Sequence, residues 1–111
     1  MIADPTDVTS VKLVDFGLSI KIDKVDILGF PDLRCGTKLY MAPEVHRQEQ
    51  YNRSVDMWSL GITIYKLISG EHPLFHQKSI SIFEAHLQNR TEISYTDEFS
   101  DLAKDFISHL L

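Results

Sequence analysis

Ser54-Val55-Asp56-Met57-Trp58-Ser59-Leu60-Gly61-Ile62-Thr63-Ile64-Tyr65-Lys66-Leu67-Ile68-Ser69-Gly70 is the stretch on which the reading of this chain turns. Ser54 is a residue type that caps helix N-termini and Gly70 one that ends helices, so the spacing predicts a helix from Ser54 to about Ser69. Its apolar residues are Val55, Met57, Trp58, Leu60, Ile62, Ile64, Tyr65, Leu67 and Ile68, and they cover nearly every face. A helix that is hydrophobic all round belongs in the middle of a larger protein. This one is expected to need more cover than the 111 residues can supply.

Working outward, two amphipathic helices are expected after it, over about Ser79 to Leu87 and Ser100 to Leu111. In the second, Phe99, Leu102, Ala103, Phe106, Ile107, Leu110 and Leu111 fall on one stripe at helical spacing. On the N-terminal side, Pro43 suits the first turn of a short helix through Glu44, Val45 and His46. Before that, Asp15 to Gly36 has no sustained period and is punctuated by Gly17, Gly29 and Pro31, as in a long surface loop. Ser10-Val11-Lys12-Leu13-Val14 alternates and reads as a short strand. With Met1 to Ala3 and the turn signature Asp4-Pro5-Thr6-Asp7, it forms an expected small hairpin. The fold class is therefore mainly α with a short β-hairpin.

Size allows one domain and no second. Hydrophobic residues make up 43% and charged residues 24%, near the average for soluble proteins. The formal net charge of −5 argues against a nucleic-acid or anionic-membrane surface. A single cysteine, Cys35, forms no internal disulfide and favours a reducing compartment, cytoplasmic or nuclear. No apolar run approaches the roughly 20 residues that span a bilayer. The His72-x-x-x-His76 pair sits beside Pro73 without a Cys or acidic ligand at metal spacing, so zinc is rejected. Cys35, beside Arg34, reads more simply as a small loop residue than as a reactive thiol.

Three motifs remain. Asp15-Phe16-Gly17 follows the expected strand. An aspartate there can place a carboxylate on Mg²⁺, which takes oxygen ligands, yet alone the tripeptide reads as an ordinary strand-end turn. Cys35-Gly36-Thr37-Lys38-Leu39-Tyr40-Met41-Ala42-Pro43-Glu44 follows at loop distance, and then Tyr51-Asn52-Arg53-Ser54-Val55-Asp56-Met57-Trp58-Ser59-Leu60-Gly61. The ordered set D-F-G, G-T-x-x-Y-x-A-P-E and D-x-W-S-x-G resembles the protein-kinase signature. Gly70-Glu71-His72-Pro73-Leu74-Phe75 resembles the segment after the central helix of that fold, and Phe99 to Leu111 resembles its penultimate large helix. The resemblance runs over essentially the whole chain. In detail it is most similar to serine/threonine kinases of the calcium/calmodulin-dependent type.

The resemblance implies a partial C-lobe of the two-lobed α+β kinase fold over residues 1–111, with the activation segment at 15–44 and C-lobe helices from about 54 to 111. It implies that the complete kinase moves the γ-phosphate of ATP to Ser or Thr of a protein substrate, with Mg²⁺. Asp15 would hold the metal, and Asp15, Phe16 and Gly17 would form the cofactor-binding element. Thr37 would bond the catalytic base and lysine of the preceding loop. Arg34, Lys38 and Met41 would line the floor on which the residue after the phosphoacceptor docks. Glu44 would be an anchor for a downstream arginine, and Asp56, judged costly to bury unpaired, would accept backbone N–H groups of the catalytic loop. Trp58 and Gly61 would pack the central helix. Lys66 stands where some arginine-preferring relatives carry a glutamate.

No serine, threonine or tyrosine lies between Ile20 and Gly36, so control by phosphorylation in that stretch is not expected. The sequence also contains no Gly-rich phosphate loop, no V-A-I-K lysine and no H-R-D-x-x-x-x-N loop. The chain is accordingly expected to be part of a longer kinase and inactive alone. Any calmodulin-binding tail or Ca²⁺-binding module would lie outside it. The alternative is a non-catalytic kinase-like binding module or decoy.

Overall fold

The backbone signals that bound the central helix are realised, with one exchange of roles. The computed structural model describes residues 3, 4, 6, 7, 9–20, 36–75, 84 and 93–111. Among these, a single 3₁₀ turn (Lys38–Tyr40) is followed by α1 (Pro43–His46), α2 (Ser54–Ser69) and α3 (Asp101–Ser108). Helix α2 ends where expected. Gly70 takes φ 74° and its N–H donates to Lys66 C=O at 2.9 Å, a left-handed stop that costs glycine least. Its start differs from expectation: Arg53 is the N-cap, already helical, and Ser54 lies inside. The reason is Asn52, whose Oδ1 accepts the Ser54 N–H at 2.7 Å and so satisfies an orphan donor without the Ser54 hydroxyl. In α3 the serine works as predicted, with Ser100 Oγ accepting from Ala103 N–H at 3.2 Å.

Helix α2 packs on the 3₁₀ turn and on α3. Ile62, Tyr65, Phe99 and Ile107 are buried, and Tyr65, Phe99 and Ile107 form one cluster backed by Ile64, Ile93, Tyr95, Ala103 and Leu111. The Tyr65 and Phe99 rings lie 4.7 Å apart, and Tyr95 meets Phe99 edge-on at 5.3 Å. Such aromatic pairs add roughly 0.5–1.5 kcal/mol beyond the area they bury. A second cluster centres on Leu74, with Leu39, Trp58 and Phe75 against it. Trp58, read from the sequence as core, is partly buried and packs against the core. Gly61 is buried, and for a geometric reason it stays glycine: a Cβ there would stand 2.7 Å from Leu111 Cδ2 and 2.9 Å from Leu110 Cβ.

The far side of α2 is bare. Met57, Leu60 and Leu67 remain exposed, Leu67 at 80%, as the all-round apolar pattern predicted. The stripe of α3 is only half covered, with Ile107 at 0% but Leu102 at 79% and Phe106 at 49%.

The short β-hairpin is not shown. Among the described residues there is no strand, and Val11 makes only an isolated bridge. Instead Ala3 N–H donates to Ser10 C=O at 3.1 Å and closes a loop. Within it Asp4 Oδ1 accepts from Thr6 N–H and Oγ1, and Asp7 Oδ1 accepts from Thr9 N–H and Oγ1. Side-chain bonds of this kind compete with ladder pairing, and they hold both carboxyls below the usual range. The helix expected over about Ser79 to Leu87 lies outside the described residues except for Glu84, which is helical.

Candidate functional site

Two candidate places emerge, and they are built differently. The first is Asp15-Phe16-Gly17. Asp15 takes φ 66°, in the left-handed region where aspartate is enriched among residues with a side chain. Its Oδ1 accepts the Gly17 N–H at 3.4 Å, a long contact. Asp15 and Gly17 are exposed, and Phe16 is 68% exposed rather than packed beneath the aspartate. A cavity of about 570 Å³ runs from this segment to the start of α2, lined by Phe16, Leu18, Ile20, Met41, Val45 and Asp56 among others.

Asp56 departs from the sequence reading. It lies in the first turn of α2, where a carboxylate is favoured by the helix N-terminus, and it is exposed on the cavity wall. The desolvation cost that made an apolar helix seem to demand a partner for it is therefore not incurred in this structure. Its side chain points away from the Ile62 and Tyr65 face, a distinction that the all-round apolar composition of the helix hides.

The second place is the turn from Thr37 to Met41. Gly36 precedes it with φ 107°, a conformation that suits glycine. Thr37 is the N-cap of the 3₁₀ turn; its carbonyl accepts Tyr40 N–H at 2.9 Å, while its side chain makes no capping bond and is exposed. From α2, Ser59 Oγ donates to Tyr40 C=O at 2.8 Å, and Lys66 Nζ donates to Tyr40 Oη at 3.2 Å while lying 5.6 Å from the ring centroid. From the loop after α2, His72 Nε2 meets Leu39 C=O at 2.7 Å. Lys38 is exposed and lines a smaller cavity of about 160 Å³ with Gly36, Met41, Val45, His46 and Glu84. The structure thus brings Lys38 and Met41 together. Arg34 and Cys35 lie outside the described residues.

Glu44 sits half-buried in the first turn of α1. Arg47, the nearest cation along the helix, gives its Nε to Glu49 at 2.9 Å, which raises the guanidinium and lowers the Glu49 carboxyl. Sequence reasoning missed His72, Ser59 and His46 as supports of the turn. His72 had been weighed only as half of a metal pair; among the described residues no His, Cys, Asp and Glu group could hold a metal ion. No local sequence signal marks that role, since the carbonyl it meets lies 33 positions away.

A loop carrying the G-T-x-x-Y-x-A-P-E pattern, seated on a helix that carries D-x-W-S-x-G near its start, is a protein-kinase arrangement, and the comparisons agree. Residues 1–111 match the protein kinase domain family. The chain is 38% identical over 105 residues to the calcium/calmodulin-dependent protein kinase type 1 of Caenorhabditis briggsae, covering 93% of this chain and 28% of that protein. It is 37% identical over 109 residues to the type 1 kinase of Macrobrachium nipponense, covering 96% and 30%. Against the type 1B kinase of Rattus norvegicus it is 38% identical over 111 residues, covering 98% and 31%. The chain therefore belongs to the protein kinase domain family and is similar to the calcium/calmodulin-dependent kinases within it. It spans less than a third of the length of these relatives.

Proposed function

We propose that residues 1–111 are the metal-holding and peptide-docking part of a serine/threonine protein kinase that transfers the γ-phosphate of ATP to a protein hydroxyl. The observation that carries the reading is the seating of the turn Thr37–Met41 on α2 through Ser59 and Lys66, which presents Lys38 and Met41 beside one cavity. Phosphoryl transfer depends almost wholly on positioning and charge stabilisation, and a turn held at fixed places along a rigid helix supplies positioning. Thr37, with an exposed hydroxyl that the turn does not use, is free to bond a catalytic base.

Asp15 suits Mg²⁺: it is a hard oxygen donor, exposed, and engaged only by one long N–H contact among the described residues. Magnesium typically takes one or two carboxylates and fills its remaining positions with water and phosphate oxygens. When bound it would neutralise charge on the transferring phosphates. Phe16 and Gly17 would complete that element, Glu44 would anchor the end of the segment, and Asp56 would accept N–H groups across the large cavity that it lines. The relatives' names point to calmodulin as a partner for the whole kinase.

The residues that cover phosphate and serve as base would come from sequence outside 1–111. Residues 1–111 expressed alone are accordingly expected to transfer no phosphate and to aggregate through Met57, Leu60, Leu67, Leu102 and Phe106, all exposed. Reading the coding sequence upstream of Met1 in frame tests this. An H-R-D-type loop joined to Met1 supports the kinase, whereas an early stop codon supports the non-catalytic module.

A further inference from the structure

Three consecutive backbone carbonyls of the docking turn each accept a hydrogen bond from a side chain distant along the chain. His46 Nε2 donates to Lys38 C=O at 2.8 Å, His72 Nε2 to Leu39 C=O at 2.7 Å, and Ser59 Oγ to Tyr40 C=O at 2.8 Å. A carbonyl only accepts, so each imidazole carries hydrogen on Nε2. His72 is specified further, because Leu74 N–H donates to its Nδ1 at 3.1 Å. The ring is therefore the neutral Nε2–H tautomer with both nitrogens engaged. It is buried, at 7% exposure, and Tyr40 and Phe75 meet it edge-on from ring centroids 6.3 Å away, which fixes its orientation.

A 3₁₀ turn of three residues has poor hydrogen-bond geometry of its own. The backbone contributes Tyr40 N–H to Thr37 C=O and Met41 N–H to Lys38 C=O, at 2.9 and 3.2 Å. The external donors thus decide whether the turn keeps its shape. We propose that His72, supported by His46 and Ser59, is a positioning residue for the protein substrate: it holds Lys38–Met41 in the conformation that receives the acceptor peptide. This rests on the kinase reading above. A histidine that merely fills the core would affect stability without distinguishing substrate from nucleotide.

Two variants separate these roles in the full-length protein. Asn places its side-chain oxygen near the position of Nδ1 and keeps the bond from Leu74 while losing that to Leu39. Gln places an N–H near Nε2 and does the reverse. His72→Asn is expected to raise the KM for a peptide substrate roughly two- to tenfold, the size of one hydrogen bond, with kcat and the ATP KM unchanged. His72→Gln should stay within about twofold of wild type, on the same scale. Amide exchange at Tyr40 and Met41 should quicken in His72→Asn and not in His72→Gln. Equal impairment of both variants, or an unmoved peptide KM in His72→Asn, overturns the proposal. So does imidazole ¹⁵N NMR of the wild type showing hydrogen on Nδ1, a measurement that needs no variant to fold. If the wild type transfers no phosphate, the kinase reading falls, and exchange at Tyr40 and Met41 alone decides whether His72 holds the turn.

Discussion

Residues 15–20 and residues 36–75 carry motifs of the same family, yet one is nearly unsupported and the other is tied down at every turn. Among the described residues the Asp15 side chain has a single hydrogen bond, at 3.4 Å, from an amide two residues away. The turn at Lys38–Tyr40 is bonded by His46, Ser59, Lys66 and His72, up to 33 residues distant. The difference shows which half of the chemistry this stretch organises by itself. The turn proposed to dock peptide is held by α2 and the loop after it, while the proposed metal position has, among the described residues, only its own local backbone to hold it.

The comparison breaks most visibly in the core beneath the docking half. Ile62→Ala, at a side chain with 0% exposure, is expected to cost about 2–5 kcal/mol. Asp15→Asn, on an exposed segment, should change stability by no more than about 0.5 kcal/mol. Thermal or denaturant unfolding of the two variants checks both, and similar losses would contradict the division.

Gly61→Ala sharpens it. Alanine gains about 1 kcal/mol of helix propensity over glycine, but its Cβ would collide with Leu110 and Leu111 at 2.7–2.9 Å. Overpacking of that kind costs about 1–3 kcal/mol, so a net loss is expected. A stabilised variant would show that the α2–α3 seam is looser than described.

The two tyrosines of the core give a smaller contrast. Tyr65 Oη donates to Ser94 C=O at 2.7 Å, whereas Tyr95 Oη is buried without a hydrogen-bond partner among the described residues. Tyr65→Phe is expected to lose about 0.5–1.5 kcal/mol, the net worth of one hydrogen bond whose exposed acceptor water can reach, and Tyr95→Phe to be neutral or stabilising. Burial raises both phenols above 10.0. The unfolded chain then releases these protons first, so it binds fewer protons than the folded state and stability falls as pH rises above about 10. A melting temperature flat across that range would contradict the burial of both rings.

The smallest effect concerns charge in the substrate. Lys38 and Glu84 line the same cavity, so a carboxylate of the chain already shares that space. An acidic residue after the acceptor is expected to be favoured only about two- to threefold, on the scale of an exposed ion pair. A positional peptide library checks this, and Lys38→Ala should erase it.

Much of this was legible in the sequence, for identifiable reasons. The C-terminal end of α2 follows from Gly70, whereas its start was assigned to a Ser54 cap that the structure replaces with Arg53 and Asn52, and its all-round apolar composition foretold that part of the helix would lack cover. The hairpin was not legible, because alternation at Ser10–Val14 says nothing of the Asp4 and Asp7 side-chain bonds that compete with it. Asp56 was misjudged on burial, since a composition that covers every face cannot say which face finds cover. His72 was hidden because its value lies in a tautomer and in a carbonyl 33 positions away, neither of which a spacing rule contains.

The most direct test of the central claim is phosphoamino-acid analysis of a mixed peptide substrate incubated with the full-length protein, γ-labelled ATP and Mg²⁺. The account predicts label on serine and threonine and none on tyrosine, with the rate falling at least about a hundredfold in Asp15→Ala, the scale for removing a charge-stabilising group. Absence of transfer by the folded full-length protein, label on tyrosine, or undiminished transfer by Asp15→Ala would contradict it.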